Sequence, residues 1–199
     1  METTVHTLAV FCSSSNAVAP EQFERAARLG QIIGEHGWSL VFGGASVGLM
    51  DALGKAARQA GARVTGVVPE FLVKRGIAHD VCDEMIVTKT MAERKSIIGL
   101  RSDAFVALPG SIGTLEELVE QMALKGLKRH AKPIVLVNPD GYWDRLLELF
   151  DGMVAQRFLK PEMLSLLTVV DDVEGVPSAF ANYLAPELPN KWFSAEDLT

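Results

Sequence analysis

Apolar positions along the chain follow two alternating rhythms. Short, nearly unbroken apolar runs rich in β-branched residues occupy Leu8–Cys12, Ser39–Phe42, Val64–Val68, Met85–Val87, Ala104–Leu108, Ile134–Val137 and Thr168–Val170. Runs without polar alternation suit strands covered on both faces, as in a parallel sheet. Longer stretches with helical spacing lie between them. The segment from Pro20 to about His36 opens with Pro-Glu, a favourable first turn, and carries Phe23, Ala26, Ala27, Leu29 and Ile33 on one broad stripe. Further helices are predicted near Leu49–Ala60, Met91–Ser102, Thr114–Leu127, Tyr142–Gln156 and Val173–Leu184. Gly37 and Gly61 follow the first two helices, where left-handed caps are expected. Strand and helix alternating at this spacing predict βαβ crossovers. The expected fold is therefore α/β, a doubly wound, mostly parallel sheet with helices on both faces.

At 199 residues, with no repeat, linker or low-complexity segment, the chain reads as one domain over residues 1–184 and a C-terminal tail over 185–199. Pro186 and Pro189 stop the tail from continuing a helix, and Trp192 and Phe193 are expected to dock on the body or on a second subunit. Apolar residues make up 48% and charged residues 22%, so the body is not disordered. The net charge of −6 argues against a nucleic-acid surface but leaves room for one local phosphate site. No apolar run approaches the roughly 18–20 residues of a membrane span. Met1–Thr7 lacks the basic start of a secretory signal, which points to a cytoplasmic protein. Cys12 and Cys82 are then expected to be reduced, buried thiols, and the four histidines show no spacing that suits a metal.

In a doubly wound sheet, ligands bind beyond the carboxyl ends of the strands, so the strand-to-helix loops matter most. Three stand out. Phe42–Met50 contains Gly43, Gly44 and Gly48, small residues that let backbone N–H groups approach an anion; a tight turn with no ligand explains them equally well. Leu108–Glu117 places Gly110, Ser111, Ile112 and Gly113 before Thr114, a plausible phosphate cradle. Its competing reading is a capping box, with Thr114 as N-cap and Glu117 three residues on. Met91–Ile97 opens a helix with Arg94 and Lys95; Arg94 can hold a phosphate by paired hydrogen bonds, or the two can form a solvated basic face. Ser13-Ser14-Ser15 after the first strand and Asp171-Asp172 at a later strand end are weaker candidates, the aspartates being expected in solvent.

Taken in order, these loops resemble the Lonely guy (LOG) family of nucleotide phosphoribohydrolases. Phe42–Met50 is similar to its Y-G-G-G-x-x-G-L-M loop, Met91–Lys95 to its M-x-E-R-K segment, and Pro109–Glu117 to its P-G-G-x-G-T-x-x-E motif. Gly66–Pro69, Lys132-Pro133 and Asp140–Trp143 fall in register too, so the resemblance spans roughly residues 8–170. It implies a Rossmann-like homodimer with no metal or redox cofactor. Such an enzyme cleaves the N-glycosidic bond of AMP or an N6-substituted, cytokinin-type adenosine monophosphate, releasing free base and ribose 5-phosphate. Members often carry a lysine decarboxylase label, but no segment here suggests a pyridoxal phosphate site.

The resemblance gives Glu117 and Arg94 the catalytic roles: the carboxylate stabilises positive charge on the sugar and positions water, and the guanidinium handles phosphate or sugar oxygens. Substrate contacts would come from Gly43, Gly44, Gly48, Met50, Lys95, Gly110, Ser111, Ile112, Gly113, Thr114 and Leu115, with Glu116 on the ribose. Departures from the pattern are Ala45, Asp51, Gly76, Ser111 and the segment Leu124–Lys128. Ser111 is the most pointed, since its Cβ can crowd an anion while its hydroxyl can donate to one. A non-catalytic nucleotide or molybdenum-cofactor carrier on the same fold is the alternative reading.

Overall fold

The computed structural model describes residues 5–78 and 80–190. Seven strands are present: β1 (Thr7–Phe11), β2 (Ser39–Phe42), β3 (Val64–Pro69), β4 (Glu84–Thr88), β5 (Ala104–Ala107), β6 (Ile134–Val137) and β7 (Thr168–Val170). They form one sheet in the order β4-β3-β2-β1-β5-β6-β7, and every neighbouring pair is parallel. The doubly wound Rossmann-like architecture expected from the alternating apolar rhythms is thus observed. The helices are α1 (Pro20–Glu35), α2 (Gly48–Gln59), the four-residue α3 (Glu70–Val73), α4 (Met91–Arg101), α5 (Ile112–Gly126), α6 (Asp144–Ala155) and α7 (Val176–Ala181). The expected last helix is broken: residues 173–175 form a 3-10 turn before α7, where Pro177 enters at a helix start.

Both faces of the central strands are covered, which is why they lack polar alternation, while the edge strands β4 and β7 stay partly exposed. Leu8, Val10, Leu40, Phe42 and Val106 point to one layer, where they meet Leu29 of α1 and Leu53 of α2. Ala9, Phe11, Val41, Phe105 and Ile134 point to the other, against Ile98 of α4, Leu118 of α5 and Phe150 of α6. Residues one apart on a strand serve opposite cores, so a register slip of one would exchange the two layers.

The chain runs outward from β1 to β4, returns through α4 to place β5 beside β1, and then runs outward the other way. The reversal point lies between β1 and β5, and loops leaving adjacent strand ends there diverge to leave a crevice.

Two expectations need correction. Asp172 is not simply solvated: it pairs with Arg25 at 3.0 Å and accepts from its neighbour Val173 N–H, so it ties α1 to the end of β7. Cys12 is buried as expected, but Cys82 is only half-buried. Leu188 of the tail packs against the second core, while Trp192 and Phe193 lie outside the described residues. No helix among the described residues is long and apolar enough to cross a membrane.

Candidate functional site

The site grows from α4, the helix that carries the chain back across the sheet. Its N-terminus is set by Thr90, whose hydroxyl accepts from Glu93 N–H at 3.1 Å, while Glu93 reaches back to Lys89 N–H at 2.8 Å. The hydroxyl half of a capping box is formed, as the T-x-x-E pattern at 90–93 suggests, while the carboxylate takes the N–H one residue before the N-cap. One residue later comes Arg94, whose side chain is only 9% exposed. Its Nε donates to the Val67 carbonyl of β3 at 3.0 Å, and its Nη1 donates to Glu117 of α5 at 2.5 Å. The solvated basic face is therefore overturned for Arg94. Arg101, seven residues on, lies at the surface and pairs with Glu84.

Glu117 is nearly as hidden, with 12% of its side chain exposed. Burial raises its carboxyl above the usual range, and the Arg94 guanidinium offsets only part of that. Breaking a buried pair by removing one partner costs about 3–5 kcal/mol, so each of these two groups depends on the other. Cys12, at the end of β1, feels both charges. Burial and the neighbouring Glu117 push its thiol up, so it stays protonated and is a packing residue rather than a nucleophile.

A second pair runs outside the first. Arg94 and Lys95 are consecutive on α4, as are Glu116 and Glu117 on α5, and consecutive helical residues point about 100° apart. Lys95 accordingly pairs with Glu116, and with Glu120 one turn further along α5 at 3.0 Å. Lys95 is 15% exposed, Glu116 half-exposed.

The two glycine-bearing loops meet this centre differently. In the first, Gly43 lies against Arg94 Nη2 and has no room for a Cβ; one there would also sit 2.9 Å from the Met50 sulfur. Gly44 and Gly48 have φ of +66° and +59°, a region that L residues avoid. The N-terminus of α2 is already occupied. Gly48 N–H donates to Asn16 Oδ1 at 2.8 Å, and Leu49 N–H to the Ser13 carbonyl at 2.9 Å. The serine-rich segment after β1 thus supports α2, and Asn16 is a contributor that no local pattern marked.

In the second loop, α5 starts two residues before the expected Thr114, and Ser111 is its N-cap without a side-chain cap hydrogen bond. The capping box at 114–117 is therefore not formed. Thr114 is buried beneath the loop with its side chain against Gly110, and Glu117 is spent on Arg94. The loop is pinned from the other side by Tyr142, whose hydroxyl donates to the Gly110 carbonyl at 2.7 Å. Ser111, Ile112 and Gly113 are exposed, and a Cβ at Gly113 would meet nothing within 4 Å. Leu115 is half-buried behind them. The first N–H groups of a helix lack intrahelical acceptors and carry its positive end, so this terminus is open to an anion. Ser111 has φ −95° and ψ −161°, extended backbone that serine adopts without strain.

Among the other departures, Ala45 is buried and bridges Ala78, and Asp51 pairs with Lys55 at the surface. Gly76 turns at φ +72° with open space around it. A hollow lies elsewhere: a groove of about 560 Å³ between α5, α6 and residues 158–169, lined by Val119, Met122, Phe150, Met163 and Leu166. Its walls are apolar apart from Asp151, and it includes none of the residues above.

A seven-stranded parallel sheet wound on both faces, with an uncapped helix start beside a buried guanidinium–carboxylate pair, defines a Rossmann-like α/β protein. Residues 50–180 match the family model described as "Possible lysine decarboxylase", and the chain belongs to that family, the LOG family. It is 43% identical over 175 residues to the cytokinin riboside 5'-monophosphate phosphoribohydrolase of Mycobacterium tuberculosis, covering 88% of this chain and 93% of that one. It is 40% identical over 154 residues to an enzyme of the same name from Arabidopsis thaliana, covering 77% and 71%. Among solved structures, the molybdenum cofactor carrier protein of Chlamydomonas reinhardtii superposes with a TM-score of 0.69 at 29% identity, covering 88% of this chain and 96% of that one.

Proposed function

We propose that this protein is a phosphoribohydrolase that cleaves the N-glycosidic bond of a nucleoside 5'-monophosphate, AMP or an N6-substituted, cytokinin-type analogue. The observation that carries the proposal is the buried Arg94–Glu117 pair next to the uncapped start of α5. The activity for which the two relatives are named supports the same reading.

In this reading the 5'-phosphate rests on the N–H groups from Ser111 to Gly113, with Gly43, Gly44 and Met50 shaping the opposite wall. Breaking the ribosyl C–N bond leaves positive charge on the sugar. Glu117 faces that charge and accepts a proton from the attacking water, whose oxygen bonds to C1' as the C1'–N bond breaks; the bond pair leaves with the base nitrogen, which takes a proton from solvent, and Glu117 returns its own to solvent. A carboxylate raised by burial is a better base than an exposed one. The proposal includes a homodimer, which sedimentation velocity checks; a monomer at working concentration removes that part.

Purified protein incubated with AMP or isopentenyl-adenosine monophosphate is expected to release free base. Glu117→Gln should abolish release and leave nucleotide binding largely intact, since Gln keeps the size and a hydrogen bond to Arg94. Turnover within about threefold of the parent, a barrier change of roughly 0.7 kcal/mol, would make Glu117 structural. Tight nucleotide binding with no release by the parent protein would favour the carrier reading, to which the Chlamydomonas neighbour lends its fold.

A further inference from the structure

Lys95 and Glu116, both expected at the substrate, face each other in the folded protein. Lys95 Nζ sits between the carboxylates of Glu116 and Glu120, bridging α4 to α5 just outside the Arg94–Glu117 pair. The two inter-helix links are stacked: the inner one holds the site, the outer one holds the helices that present it. We propose that Lys95 is a positioning residue: held across the two helices by Glu116 and Glu120, its charge acts on the Glu117 carboxylate and tunes it. This rests on the hydrolase reading for its consequence in turnover, but not for its physical content.

The groups facing Glu117 make the direction of the effect definite. From α4 come Arg94 and Lys95, from α5 itself Glu116, and from β1 the protonated thiol of Cys12. Lys95 favours the ionised carboxylate and Glu116 opposes it. Fully ionised, Lys95, Glu116 and Glu120 leave one net negative charge beside the inner pair. Neutralising Lys95 leaves two carboxylates uncompensated, so Glu117 should take up a proton more readily. Neutralising Glu116 should have the opposite effect. A purely mechanical brace would lower stability in both variants and move the titration the same way in both or not at all.

The test is the titration of the Glu117 side-chain carboxyl by 13C NMR in the ligand-free protein, its resonance identified by its loss in Glu117→Gln. The midpoint is expected to rise in Lys95→Met, fall in Glu116→Gln, and return toward the parent in Lys95→Arg and in the Lys95→Met/Glu116→Gln double variant. Midpoints that stay put, or that move the same way in both single variants, overturn the proposal. Should Lys95→Met fail to fold, Glu116→Gln and Lys95→Arg still decide it. In turnover, Lys95→Met should lose about threefold or more at the acid limb relative to its own plateau, and Glu116→Gln should gain there. A parent that releases no base refutes the hydrolase and leaves the titration to decide this inference separately.

Discussion

The two helix starts at the carboxyl edge of the sheet are built from similar residues and do different work. At α2 the first two helical N–H groups are taken by Asn16 and the Ser13 carbonyl, and the glycines make room for protein: Gly43 for Arg94, Gly48 for the chain at Ser13–Ser15. At α5 no side chain caps the helix, Gly110 alone is packed tight, and Gly113 opens onto empty space. Glycine gives room to the fold in the first loop, whereas in the second Gly113 leaves the helix start open. The same contrast separates the site from the apolar groove at the far end of α5: volume marks the groove, whereas unsatisfied donors and a buried charge pair mark the site.

Substituting glycines in the two loops probes that difference. The largest effect should come from Gly48→Ala. It places a side chain at φ +59° and drives its Cβ into the backbone at Ser14, with Ser13 O and Ser15 N each 2.7 Å away. Left-handed strain of about 1–2 kcal/mol and overpacking of about 1–3 kcal/mol predict a stability loss of roughly 2–5 kcal/mol by denaturant titration. A loss below about 1 kcal/mol would mean that this loop is not held by packing.

Gly113→Ala should divide the other way. Its Cβ meets nothing, and alanine favours a helix over glycine by about 0.5–1 kcal/mol, so stability should hold or rise. If the phosphate sits here as proposed, KM for AMP should rise about tenfold, because the methyl group would enter its space; an unchanged KM moves the anion away from this terminus.

Ser111→Gly should be the mildest. The native backbone is already extended and the hydroxyl makes no cap, so restoring the family's glycine should change kcat/KM by less than about tenfold. A gain of a hundredfold, roughly 2.7 kcal/mol, would show that the loop is ill-fitted to AMP and return weight to the carrier reading.

Two copies of one short pattern show how far local reading reaches. T-x-x-E occurs at Thr90–Glu93 and again at Thr114–Glu117. The first is a helix cap, as the pattern prescribes. The second is not, because Tyr142 holds the Gly110 carbonyl, the helix begins at Ile112, and Arg94 claims Glu117. What differs is supplied by residues 23 to 32 positions away. Arg94 itself read as readily as a surface cation as it did a ligand group, since its burial depends on Val67 and Gly43, on other elements of the fold.

The sequence by itself determined the strands and helices, their alternation and hence the doubly wound sheet, because apolar periodicity and glycine or proline punctuation act over a few residues. It also carried the order of loop motifs that signals the family. Only the tertiary structure decided which helix terminus is open, which charges are buried, and that Lys95 and Glu116 are partners of each other. Those outcomes depend on which N–H groups and carboxylates find acceptors and cations across the sheet. Such pairing is settled by three-dimensional proximity, where desolvation makes each unpaired group costly.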